Sequence, residues 1–195
     1  MPAVTQPINI HVGRGDIYIG VDLPAGGSPV PLVGGIPQTG RFVGATIGPA
    51  NFIYRPTTFD IMTQQDTSVQ GYVITQEDLR LEFEIGEMTY ETLRDIWIGA
   101  FDQGSFITIG GIVFPKVFSV LILAPKRLGS GTGVQPNQAA FIQAMIYNAV
   151  FSEDRNFPFA RENWSNVRVV ARGQGVSTRQ QGDRLGMLHP HVVSG

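Results

Sequence analysis

The sequence predicts a mainly β protein, a sandwich or partial barrel with one flanking α-helix. Two observations carry that reading. Residues 79–85 alternate cleanly: Leu79, Leu81, Phe83 and Ile85 face one way, and Arg80, Glu82 and Glu84 the other, as in a half-buried antiparallel strand with an acidic outer face. Against many such segments, only one stretch has convincing helical spacing: Leu93, Ile96, Trp97 and Ala100 stand at i, i+3, i+4 and i+7.

Taken in order, Ile17, Tyr18 and Ile19 open a strand behind Gly13-Arg14-Gly15-Asp16. Residues 21–40 are crowded with Gly26, Gly27, Gly34, Gly35, Pro24, Pro29, Pro31 and Pro37, which propagate neither helix nor central strand. They read as a long loop or loose hairpin, and a loop of that length is functional or packed on a partner. Strands follow at residues 41–46 and 51–64, separated by Gly48-Pro49, and a further pair spans 67–75 and 79–85. After Gly86, Thr89 reads as an N-cap for a helix over residues 90–100, with Glu91 in the first turn where the helix dipole favours an acid. Residues 104–111 and 116–124 are two more strands, and 125–136 a Gly-rich basic loop with Lys126 and Arg127. Residues 138–151 carry both alanines and β-formers; strand is preferred because Phe141, Met145, Tyr147 and Phe151 share one parity. Residues 155–166 form an aromatic loop, 166–173 a last strand, and 177–195 a polar tail without periodicity. One domain thus covers residues 1–177, with 22–40 as an extended Pro/Gly loop, and residues 178–195 are a tail, flexible or contacting a neighbour.

Composition narrows the function. The chain has 14 basic and 16 acidic residues in 195, so charge is 15% against roughly 25% in an average soluble domain. A surface so poor in charge belongs to a rigid secreted domain or is covered by other subunits. A net charge of −2 excludes broad phosphate neutralisation as a way of binding nucleic acid. Without cysteine there is no disulfide framework, thiolate metal site or cysteine nucleophile. No basic n-region precedes an apolar stretch, and no apolar run approaches a membrane span, so a soluble, cytosolically made protein is expected.

Chemistry is sparse. Histidine occurs only at 11, 189 and 191, and no Gly-x-Ser-x-Gly elbow accompanies them, so nucleophilic catalysis has no base beside a serine. His189 and His191 lack further ligands at metal spacing and read as solvated tail residues. Glu82 and Glu84, about 6–7 Å apart along a strand, read as a solvated or lumen-facing acidic face rather than an acid–base pair. Residues 129–133 are Gly-rich but lack the Lys-Ser/Thr ending of a phosphate loop. Arg14-Gly15-Asp16 spells an integrin tripeptide, but its glycine more simply permits a turn into the first strand. Phe157, Phe159 and Trp164 within one short stretch mark either a contact surface or a plug at one end of the sandwich. No enzyme and no cofactor are expected.

The order of parts resembles the tail tube proteins of long-tailed bacteriophages. The matching features are Gly13-Arg14-Gly15 before Ile17-Tyr18-Ile19, the Gly44-Ala45-Thr46 step, and the strand 51–64 ending at Gln65-Asp66. The strands to Ile85, the helix 89–100, and an aromatic loop followed by a strand from Trp164 to Gly173 continue the match. The sequence departs from the family in its long 22–40 stretch and at Ile47, where an acidic residue often stands.

The resemblance implies six copies in a ring, each contributing strands to a barrel around a central channel. Rings stack head to tail, a heterologous geometry that gives an open filament, and the channel passes genome DNA without specific binding. It further implies tape measure, terminator and tail-tip proteins as partners and the virion tail as location. On that reading the lumen candidates are Asp60, Gln64, Asp66, Gln70, Glu82 and Glu84, whose charge lets phosphates slide. Phe157, Phe159, Trp164, Lys126 and Arg127 are the subunit-contact candidates, and residues 22–40, 125–136 and the termini are assigned to ring-to-ring contact. Two alternatives remain: another tail ring protein, such as a terminator or distal tail ring, and a β-sandwich receptor- or carbohydrate-binding module using the aromatic loop.

Overall fold

The computed structural model describes residues 8–61, 71–86, 90–96, 100–102, 107–109, 116–125, 140–151 and 167–193. These residues are mainly β and antiparallel. In chain order the elements are β1 (Ile8–Gly13), β2 (Asp16–Ile19), β3 (Leu32–Val33), β4 (Ile36–Pro37), β5 (Arg41–Ala45), β6 (Ala50–Ile61), β7 (Gly71–Ile85) and α1 (Tyr90–Ile96). After the helix come β8 (Ala100–Asp102), β9 (Ile107–Ile109), β10 (Val117–Pro125), β11 (Ala140–Phe151), β12 (Val167–Gln174) and β13 (Gly186–Val193).

The main sheet closes on itself within one chain. Its order is β1-β6-β7-β12-β11-β10-β2-β5. Because β1 runs into β2 through Arg14-Gly15, and β5 runs into β6 through residues 46–49, each pair forms one bent stave. Thr46 makes the seam. Its N–H donates to the Gly15 carbonyl (2.9 Å) and its Oγ1 accepts from the Gly15 N–H (3.0 Å), while it bridges Ile85 at the end of β7. Gly15 is required there by close approach: a Cβ would stand 2.4 Å from the Leu123 carbonyl oxygen. The glycine of the Gly-Arg-Gly opening therefore lets the chain cross β10 at the seam. Closure pairs the main staves on both sides and so limits the open edge, the usual liability of a sheet, to β13 among the strands of the body.

Two apolar clusters follow from this geometry. Every stave contributes to the interior, including Ile17, Val43, Phe52, Leu81, Ile122, Ile146 and Val169. On β7 the expected alternation is observed, with Leu79, Leu81, Phe83 and Ile85 buried inside. A second cluster lies outside the barrel, where Tyr18, Leu121, Leu123, Met145 and Tyr147 meet Val21, Val30, Leu32 and Met187. The outer faces of β2, β10 and β11 are thus covered by the Pro/Gly segment and by β13. That is why β10 reads as one continuous apolar run instead of alternating.

Several sequence expectations need correction. The strands expected at 67–75 and 79–85 are, over the described residues, one strand of 15 residues, β7, because β6 pairs with it from Gly71 to Glu82 and carries it across residues 76–78. The helix expected to reach Ala100 is described as Tyr90–Ile96, and Ala100 instead opens β8, paired with Ile109 of β9; short apolar runs suit either period, and the hairpin pairing decides. The strand expected over 104–111 is described only as β9 and belongs to that small separate sheet. Phe151 does not share a face with Phe141, Met145 and Tyr147. A bulge places two β11 residues, Tyr147 and Asn148, opposite Ser119 of β10, and the extra residue reverses parity, so Phe151 points inward. The polar tail expected over 177–195 contains β13, paired with β11 from Ala140 to Ile146, so β12 is not the last strand. Pro190 within β13 hides it from sequence patterning, and proline is tolerated there because the strand lies off the main path of the sheet. Thr89, Trp97, the 125–136 loop beyond Pro125 and the aromatic loop lie outside the described residues.

Candidate functional site

The β6–β7 hairpin outgrows the barrel. β1 covers β6 only from Ala50 to Tyr54, and β12 covers β7 only from Arg80 to Ile85. Beyond those points the two strands pair only with each other among the described residues, as far as Ile61 and Gly71. The result is a two-stranded arm, a form marginal in water unless something packs on it.

Both faces of this arm are apolar near the tip. Register pairs Phe59 with Val73, Asp60 with Tyr72 and Thr58 with Ile74. One face therefore carries Phe59, Val73 and Ile61, and the other carries Ile74, Tyr72 and Asp60. Tyr72 is 66% exposed and Phe59 61%, with Ile74 and Val73 near half. Soluble monomers seldom present such a contiguous apolar element. Asp60 sits within it, and its Oδ1, although shielded from solvent, has no hydrogen-bond partner among the described residues.

At the base of the arm lies a cleft of about 170 Å³. One wall is Phe52, Tyr54, Glu77 and Leu79; the other is the run from Arg184 to Leu188 leading into β13. The Tyr54 hydroxyl donates to Glu77 Oε1 (2.5 Å), and burial together with that carboxylate pushes the phenol up to about 12. Opposite, Arg184 Nε donates to the Arg179 carbonyl (3.2 Å) while the residue stays exposed.

The acidic lumen candidates are not gathered on one face. Glu82 and Glu84 lie on the barrel exterior, on the side of β7 that pairs Asn51 with Glu82. Asp60 lies on the opposite face of the same hairpin, nine residues from Asn51 along β6. Nor is the exterior face purely acidic: Arg168 binds Glu82 (2.8 Å) and is the direct cross-strand partner of Glu84, while Arg80 of β7 pairs with Arg172 of β12. The single-strand alternation shows only Arg80, because Arg168 and Arg172 come from β12. Gln64, Asp66 and Gln70, and the contact candidates Phe157, Phe159, Trp164, Lys126 and Arg127, lie outside the described residues.

The Pro/Gly segment assigned to ring contact is fastened to its own barrel. Gln143, fully buried on β11, accepts from the Val30 N–H and donates to the Val30 carbonyl, both at 2.8 Å. Ser119 donates to the Val21 carbonyl (2.5 Å). The chain after β12 adds a clasp. Arg179 donates to the Pro24 carbonyl (3.0 Å), lies 4.0 Å over the Tyr147 ring and pairs with Asp183 (2.7 Å), which also accepts from the Tyr147 hydroxyl (2.6 Å). Burial, reinforced by Asp183, pushes Tyr147 up to about 12. The Tyr147 hydrogen bond, aided by Arg179, holds Asp183 below the usual carboxylate range.

A further charged group fixes α1. Asp95, buried, receives Arg41 and Arg94 and lies 3.7 Å from Lys116, while Arg41 also donates to the Glu91 carbonyl. Among the described residues no group of three His, Cys, Asp or Glu is placed to hold a metal ion, and no helix is long and apolar enough to cross a membrane. Neither a protein-family profile nor a curated protein matches this sequence.

Proposed function

We propose that the protein is a structural subunit that self-assembles into stacked hexameric rings, forming the hollow tail tube of a long-tailed bacteriophage through which DNA passes. The observation that carries this reading is the arm: a closed barrel bearing one hairpin that is apolar on both faces. Such an element gains by being buried, and the low overall charge makes burial between like subunits cheap in desolvation. The order of sequence features supplies the tube and the virion location. Tape measure, terminator and tail-tip proteins are the partners that follow from it.

An acidic channel wall has partial support. Glu82 is already neutralised by Arg168, so among the described candidates on that face repulsion of phosphate rests on Glu84. Negative-stain electron microscopy of the purified full chain tests the proposal. Hollow tubes or stacked rings are expected, whereas a protein that stays monomeric at high concentration overturns it. Single closed rings would assign it to a terminator or tip position instead.

A further inference from the structure

We propose that the cleft between Tyr54–Leu79 and β13 receives the arm of a second copy, with Tyr72 entering the cleft and Asp60 meeting Arg184. The inference rests on the self-assembly reading and adds which two surfaces meet. Asp60 and Tyr72 are directly paired across β6 and β7, so they present together on one face of the arm. The cleft, at about 170 Å³, matches a single aromatic ring: an apolar cavity of roughly 150 Å³ holds benzene. Its floor is apolar, through Phe52, Leu79 and Leu188, and its lip is polar, through Tyr54 and Glu77. That division suits a tyrosine, which has an apolar body and a polar tip.

Charge completes the match. Oδ1 of the Asp60 carboxylate has no hydrogen-bond partner among the described residues. Arg184, on the far wall of the cleft, is exposed, and among the described residues its side chain donates only to the Arg179 carbonyl. A guanidinium offers further N–H donors in a fork that fits a carboxylate.

The occupant must come from another molecule. Asp60 lies six residues along β6 from Tyr54, about 20 Å at the rise of an extended strand, so an arm cannot fold back into the cleft at its own root. Since arm and cleft are different surfaces, the contact is heterologous and propagates from copy to copy.

Charge reversal tests the pairing in the full-length protein. D60R alone and R184D alone are each expected to raise the concentration needed for assembly about tenfold or more in sedimentation velocity. An equimolar mixture of the two variants is expected to co-assemble as the wild type does, since each arm then finds an opposite charge. Recovery in the mixture also shows that both variants are folded. Y72A is expected to weaken assembly without changing the melting temperature. Wild-type-like assembly of both single variants, or a mixture that stays dispersed, overturns the pairing while leaving the self-assembly reading intact. A wild-type protein that never associates overturns both.

Discussion

Gln143 is fully buried on β11, and its amide both accepts from and donates to the backbone of Val30. It stands as one polar residue in the run Ala140-Phe-Ile-Gln-Ala-Met-Ile, the one signal by which sequence could have singled it out. Gln143→Leu strands a buried N–H and carbonyl on Val30 and is expected to cost about 2–3 kcal/mol in urea unfolding, with faster proteolysis within residues 21–32. The Tyr147–Asp183–Arg179 clasp gives two pH limits. Asp183 has its pKa depressed in the fold, so its contribution is present above the ordinary carboxylate pKa of about 3.9 and fades as pH falls below it. Tyr147 has its pKa raised to about 12, so its contribution is complete below about pH 10 and is lost as pH rises from there. Urea midpoints across the alkaline range are expected to fall less steeply in Tyr147→Phe than in the wild type. On the barrel exterior, Glu82→Lys places an ammonium against Arg168 and is expected to destabilise by about 0.5–1 kcal/mol. Glu84→Lys faces Arg168 as its direct cross-strand partner and is expected to destabilise by a similar amount.

At the scale of elements, β7 was legible because its barrel half alternates strictly, whereas β13 was not. Gly186–Val193 carries Pro190 and no alternation, and it becomes a strand because β11 offers an edge there once β12 has ended. β12 occupies that edge from Asn148 to Phe151, and β13 takes it over from Ile146 to Ala140. Gly186 sits at the handover, where a Cβ would meet the Met145 carbonyl oxygen at 2.3 Å. Gly186→Ala is therefore expected to detach the start of β13, at a cost of about 1–3 kcal/mol. Hydrogen exchange should then show lost amide protection in residues 140–146, with β10 amides unchanged. The arm was half legible. Its strands could be read from sequence, but Tyr72, Val73 and Ile74 looked like ordinary strand residues until the register left both faces uncovered. Phe59→Thr with Ile61→Thr is expected to abolish assembly while leaving thermal stability within a degree or two, since neither side chain packs on the barrel.

For the whole molecule, the sequence determined the class of the fold. It marked most of the strands, the near absence of helix and the poverty of charge that points to a covered surface. These follow from local periodicity and composition, which each residue carries with it wherever it lies. Only the tertiary structure decided that the main sheet closes through Thr46, that the Pro/Gly segment is a second layer pinned by Gln143, and that Glu82 is neutralised by an arginine 86 residues away. It also decided which strands lack a cover, and so where an assembly surface can be. The physical reason is the same in each case. Pairing, closure and neutralisation are contacts between residues far apart in the chain, and no window of sequence contains both partners.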